Sequence, residues 1–157
     1  MNINYNVTWS SHIPLLIEVM KQSSGPVLEL GCGPSSTPLL YWMCFDMGRE
    51  FYSYDHNQEY ADMMRKFGTQ YVEDWDDLPI DEEYWGMVFI DHDEQRRALD
   101  CVKVNRVADH VVIHDSQRHL DEYFHYKQIY DLYKYKWKYG KVKPHTTVLS
   151  NFKDFQW

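Results

Sequence analysis

Apolar residues in this chain gather in short runs that stop at a glycine or an acid, and between these runs they recur at helical spacing. Val27, Leu28 and Leu30 form a strand that ends at Gly31. The aromatic-rich stretch Glu50 to Asp55 and the shorter Gln70 to Glu73 read as further strands, the latter followed by Asp74 and Trp75. Trp85 to Ile90 is continuously apolar up to Asp91, as expected of a parallel strand covered on both faces. Asp109 to Ile113 leads into His114, Asp115 and Ser116. Helical spacing appears at Leu15, Leu16, Val19 and Met20, and in a mostly apolar helix from Leu39 to Phe45 closed by Gly48. It returns at Met63, Met64 and Phe67, closed by Gly68, and over residues 95–104. Alternating strands and helices predict an α/β fold, a doubly wound, mostly parallel sheet with helices on both faces. The last third changes pattern. A helix is expected over residues 120–130. Tyr133 to Tyr139 then alternates aromatic and basic residues with period two, a turn spans Gly140 to Pro144, and His145 to Ser150 supplies the other arm of a C-terminal antiparallel hairpin.

Candidate chemistry starts at the first strand. Gly31-Cys-Gly-Pro-Ser-Ser36 is a glycine turn feeding a helix, with Ser36 or Thr37 placed as N-cap and Pro38 at the first helical position. Gly31 and Gly33 allow a sharp turn and a close approach to a ligand. A dinucleotide fingerprint needs a third glycine where this chain has Ser36. Glu29 would repel a pyrophosphate, yet it can accept hydrogen bonds, directly or through water, from a cationic amino-acid ligand. Asp55, 24 residues after Gly31, stands where a doubly wound fold places the acid that holds ribose hydroxyls. The pattern Glu-x-Gly-x-Gly resembles the first motif of the class I S-adenosylmethionine-dependent methyltransferases, and the likeness runs from about Gly25 to Phe152. It implies a Rossmann-like sheet and S-adenosylmethionine as cofactor. The residues it assigns to the cofactor are Glu29, Gly31, Cys32, Gly33 and Ser35, then Asp55 and His56, Asp74 for the adenine amino group, Trp75 for stacking, and Asp91 with His92.

Open α/β sheets bind ligands beyond the carboxyl ends of their strands, which makes Asp91, Asp93, His114 and Asp115 the catalytic candidates. The run ending in Asp91-His92, together with His114-Asp-Ser116, also resembles the catechol-type O-methyltransferases. That likeness implies Mg2+ held by Asp91 and Asp115, with His92 facing the cofactor. Two departures stand out: Ser116 replaces an amide ligand, and Glu94 replaces a basic lysine. Without metal, His114 or Asp93 would serve as base. His110 and His114, about 13 Å apart on one strand, cannot share an ion. Trp9 and His12 are candidate lid or acceptor contacts, while Ser10 and Ser11 suit the start of a helix. The activity implied is methyl transfer to oxygen of a small hydroxylated metabolite or sugar. An NAD-dependent oxidoreductase and a non-catalytic S-adenosylmethionine-binding module are the alternatives.

Composition narrows the partners. The chain has 157 residues and is 44% hydrophobic, which suits one domain: an N-terminal helical segment (1–24), a cofactor-binding core (25–119) and a C-terminal helix and hairpin (120–157). Three widely spaced cysteines match no zinc pattern. With no signal-peptide pattern and no apolar stretch near the ~20 residues of a membrane helix, a cytoplasmic protein without membrane contact is expected. The Asn6-Val-Thr8 sequon carries no meaning there. Residues 1–119 hold 9 Lys and Arg against 20 Asp and Glu, and residues 120–157 hold 7 against 4. An acidic body disfavours nucleic acid, so a small-molecule or glycan acceptor is expected. The lysines of the hairpin read as protection of a sheet edge. So short a chain encloses little of a large acceptor by itself, and a homodimer is one way to complete the pocket.

Overall fold

The structure is a computed structural model and describes residues 7–93 and 95–157. Glu94, and Asn6 of the sequon, lie outside the described residues. One seven-stranded sheet organises the chain: β1 (Val27–Leu30), β2 (Phe51–Asp55), β3 (Gln70–Tyr71), β4 (Trp85–Ile90), β5 (Ala108–Ile113), β6 (Tyr135–Tyr139) and β7 (Thr146–Ser150). Their order across the sheet is β3-β2-β1-β4-β5-β7-β6. The first five are parallel, and β7 pairs antiparallel with both β5 and β6. The doubly wound sheet with its C-terminal hairpin is therefore as the residue pattern implied.

Period-two alternation sorts the strand residues onto two cores. Leu28, Leu30, Val88, Ile90, Val111 and Ile113 face one layer, where α4 (Arg97–Val104) and the segment around Tyr126 and Ile129 pack. Val27, Met87, Phe89 and Val112 face the other, against Leu15, Leu16, Val19 and Met20 of α1 (Ile13–Gln22) and Leu40 and Cys44 of α2 (Ser36–Met47). β4 and β5 are buried at every position, which explains the unbroken run of β4, while β5 carries Asp109 and His110 before its apolar end. α3 (Gln58–Met64) follows β2, with Asn57 as its cap, its side chain accepting from the backbone N–H groups of Glu59 and Tyr60.

Three expectations change. The cap of α2 is Ser35, one residue before Ser36 and two before Thr37, and no side chain bonds there. The helix expected over 120–130 is α5 (Arg118–Tyr123) followed by short 3-10 turns, because His125 adopts left-handed backbone (φ 61°) and sends Tyr126 into the core, fully buried. α2 is less buried than its apolar sequence suggests: Trp42 is 58% and Phe45 73% exposed. No described helix is long and apolar enough to cross a membrane.

Candidate functional site

The carboxyl ends of β1, β2 and β4 open onto a cavity of about 290 Å3. Its floor is the loop Cys32 to Ser36, one wall is Asp55, His56 and Asn57, and the other is Asp91, His92 and Asp93. Trp9 and His12 close the N-terminal side. Of the residues assigned to the cofactor, Cys32, Gly33, Ser35, Asp55, His56, Asp91 and His92 meet here, whereas Glu29, Gly31, Asp74 and Trp75 are not on the lining.

Local chemistry explains these placements. Gly31 has φ 93°, and a Cβ there would lie 2.2 Å from the backbone N of His92. Its lack of a side chain serves the crossing of two strand ends rather than a ligand. Gly33 is different: a Cβ would meet only Ser36 Oγ, at 3.7 Å. Glu29 lies beneath the loop, fully buried, accepting from Thr37 Oγ1 (2.8 Å) and Ser53 Oγ (2.7 Å). Burial pushes its carboxyl up to about 7 against the pull of the neighbouring hydroxyls. It ties the start of α2 to β2. Asp55 accepts from the backbone N–H of Cys32 on one oxygen and of Asn57 on the other, both at 2.8 Å, and so locks the glycine loop to the β2 turn with its carboxylate at the cavity wall. Asp74 accepts from the Asp76 N–H (2.9 Å) as the cap of a short 3-10 turn, and buried Trp75 packs 4.8 Å from the His92 ring. His92 Nε2 pairs with the buried Asp100 carboxylate at 2.7 Å.

Beyond β4 and β5 the acids are organised around Arg97, a residue the sequence reading did not single out. Its guanidinium is 3.3 Å from both Asp91 Oδ1 and Asp115 Oδ2, donates to the Asp91 carbonyl (3.1 Å) and stacks 3.9 Å over Phe124. Ser11 has a single hydroxyl proton and gives it to the Pro144 carbonyl (2.8 Å), which can only accept. Toward His114 Nε2, at 3.0 Å, Ser11 Oγ therefore accepts, and Nε2 carries a proton. Nδ1 donates to Asp91 Oδ1 at 3.0 Å. Both nitrogens are placed to donate, an arrangement that accommodates the imidazolium form of His114. Burial opposes that charge, but Asp91 and then Asp115 outweigh it and raise the His114 pKa. Burial likewise works against ionised Asp91, yet His114, Arg97 and His12 bring its carboxyl down to about 2.

This arrangement corrects the expected Mg2+ site. A guanidinium already bridges Asp91 and Asp115, and Ser116 turns away to Thr147 Oγ1 (2.8 Å). The fixed guanidinium between the two acids would repel a divalent ion, so Asp91 and Asp115 as arranged do not fit it. Both ring nitrogens of His114 are engaged, Nδ1 with Asp91 and Nε2 with Ser11. Ser10 and Ser11 do not cap α1: Ser10 bonds Ser35 Oγ (2.7 Å), and the cap position is His12. Arg97 and Asp100 left one trace in the sequence, charges interleaved with the buried stripe of Ala98, Cys101 and Val104.

No protein-family model and no curated protein sequence matches the chain. Solved structures do. Cofactor-bound Rv0187 from MTB superposes with a TM-score of 0.64 at 16% identity, over 98% of this chain and 84% of that one. M. capricolum TrmK in complex with S-adenosyl-homocysteine gives 0.50 at 15% identity, over 86% of this chain and 66% of that one. MtNAS in complex with MTA and tNA gives 0.51 at 15% identity, over 91% of this chain and 60% of that one. The chain thus shares with these structures a Rossmann-like α/β fold.

Proposed function

We propose that the protein binds S-adenosylmethionine in the cavity at the ends of β1, β2 and β4 and transfers its methyl group to an oxygen of a small hydroxylated metabolite or sugar. The observation that carries this reading is the convergence of the Asp55, Asp91 and Asp93 carboxylates on a glycine loop that lacks a third glycine. Acidic walls attract a ligand bearing sulfonium and ammonium charges and repel a pyrophosphate, which counts against NAD. Each Asp55 oxygen has a lone pair left for a ribose hydroxyl. The amino-acid end then lies along the Gly33 to Ser35 backbone and the adenine toward His92. The likeness to structures holding S-adenosyl-homocysteine and MTA supports the same choice.

Arg97 and His114 act here as positioning residues that hold the Asp91 carboxylate ionised and fixed at the cavity wall, and Asp115 anchors the Arg97 guanidinium. Calorimetry with S-adenosylmethionine, S-adenosyl-homocysteine and NAD tests the reading. Saturable binding of the first two is expected, weakened by about 1–3 kcal/mol in Asp55→Ala as charge-assisted bonds are lost. Binding of NAD alone, or affinity unchanged in a folded Asp55→Ala protein, would overturn it. Methyl transfer from labelled donor to hydroxylated small molecules then tests the acceptor class.

A further inference from the structure

His12 has a different status from the other polar groups around the cavity. It is 2% exposed, lines the cavity, and neither ring nitrogen has a hydrogen-bond partner. Leaving two such atoms dry and unpaired is unfavourable unless something else meets them. The ring packs 5.1 Å from Phe89 and edge-on to His114 at 4.7 Å, with one of its nitrogens within 4.8 Å of ligand atoms of Asp91 and His114. Its neighbours are all committed: Asp91 to His114 and Arg97, His114 to Asp91 and Ser11. Asp93 stands exposed at the rim.

On the reading given under Proposed function, we propose that His12 takes the hydroxyl proton of the methyl acceptor. The acceptor oxygen forms a bond to the methyl carbon while the carbon–sulfur bond breaks, and that electron pair stays on sulfur as a neutral thioether. The hydroxyl proton moves to the free lone pair of the His12 ring, so the positive charge leaves the sulfonium and appears on the imidazole. Water at the cavity mouth then removes the proton. His12 suits this because it stays neutral. The charged groups facing it are Asp91 from the end of β4 and His114 from the end of β5. Burial, the largest influence, lowers its pKa to about 4, against Asp91 and with His114. The ring therefore keeps a lone pair across the physiological range, and the adjacent Asp91 carboxylate favours the imidazolium formed during transfer.

The test uses the full chain and two hydroxyl probes, catechol and methyl α-glucoside. In the S-adenosyl-homocysteine complex, histidine-selective 15N spectra should show the His12 ring nitrogens shifting as one probe is added, with His114 doubly protonated throughout. In His12→Gln, S-adenosylmethionine affinity should stay within about threefold, while kcat with the responding probe falls about 100-fold or more and its KM changes little. The acidic limb of the wild-type kcat profile, set by protonation of a group titrating in the low range, should vanish in the variant. Wild-type protein that binds the cofactor but whose His12 resonances ignore both probes would overturn the proposal, as would full kcat in His12→Gln. So would Zn2+ binding that disappears with His12, which would make the ring, with Asp91 and His114, a metal ligand instead. Absence of cofactor binding in the wild type defeats the underlying reading, and so the two failures are told apart.

Discussion

Glu29 and Arg97 illustrate how buried charge holds this site together, and their effects have opposite signs. An unfolded Glu29 ionises near 4.5 but the folded one at about 7. Between those values the folded chain holds a proton that the unfolded chain has lost. Its contribution to stability is complete below pH 4.5 and declines as pH rises through 7, by up to about 3 kcal/mol. Urea unfolding of the wild type should therefore lose stability from pH 5 to 8 relative to Glu29→Gln; parallel curves for the two proteins would remove Glu29 as the cause. Arg97→Met leaves the Asp91 and Asp115 carboxylates facing one another without their shared cation, a cost that is full while both are ionised and fades as acid protonates them. A loss of about 3–5 kcal/mol is expected in the same assay, and a loss under 1 would show that the two acids do not depend on the guanidinium. Sequence alone showed the acids well, since strand ends displayed Asp55, Asp91 and Asp115 as breaks in apolar runs. It did not show their partners. Arg97, Asp100, Ser11 and Tyr126 reach the site by tertiary packing from a helix face, a helix start and a left-handed turn, and only the charges within the α4 stripe left a trace to read.

Elements whose shape is set by local chemistry were the legible ones. β4 follows from an unbroken apolar run and β1 and β5 from shorter apolar stretches, and the ends of α2 and of the segment after α3 from Gly48 and Gly68, both in left-handed backbone. The stretch after α5 could not be read the same way, because its tyrosines fit a helical face as well as they fit the 3-10 turns that bury Tyr126. The glycine loop was recognised, but its two glycines were given one explanation where the structure supplies two. The difference is measurable. Gly31→Ala forces a side chain against the His92 backbone at a positive φ and should cost about 3 kcal/mol or leave the chain insoluble. Gly33→Ala should melt within a few degrees of the wild type. Equal melting temperatures for the two variants would show that the close approach of β1 to β4 is not a constraint.

Across the whole molecule, charge is divided between an acidic body and a basic hairpin. Lys136 and Lys138 stand exposed on β6, the outermost strand, while Trp137 and Tyr139 turn inward toward Phe155. This supports edge protection over a nucleic-acid track. A short fluorescent RNA should show no saturable binding at ~150 mM salt; affinity with a steep salt slope that flattens when Lys134, Lys136 and Lys138 become alanine would reverse that assignment. The strand order has a consequence for biosynthesis as well. β7 is inserted between β5 and β6, although it is the last strand of the sheet in the chain. Until residues 146–150 have left the ribosome, Val111, Val112 and Ile113 present an unpaired, wholly apolar edge. A chain terminated before residue 146 is therefore expected to present an edge open to association with other strands, and completion of the sheet depends on a single five-residue segment.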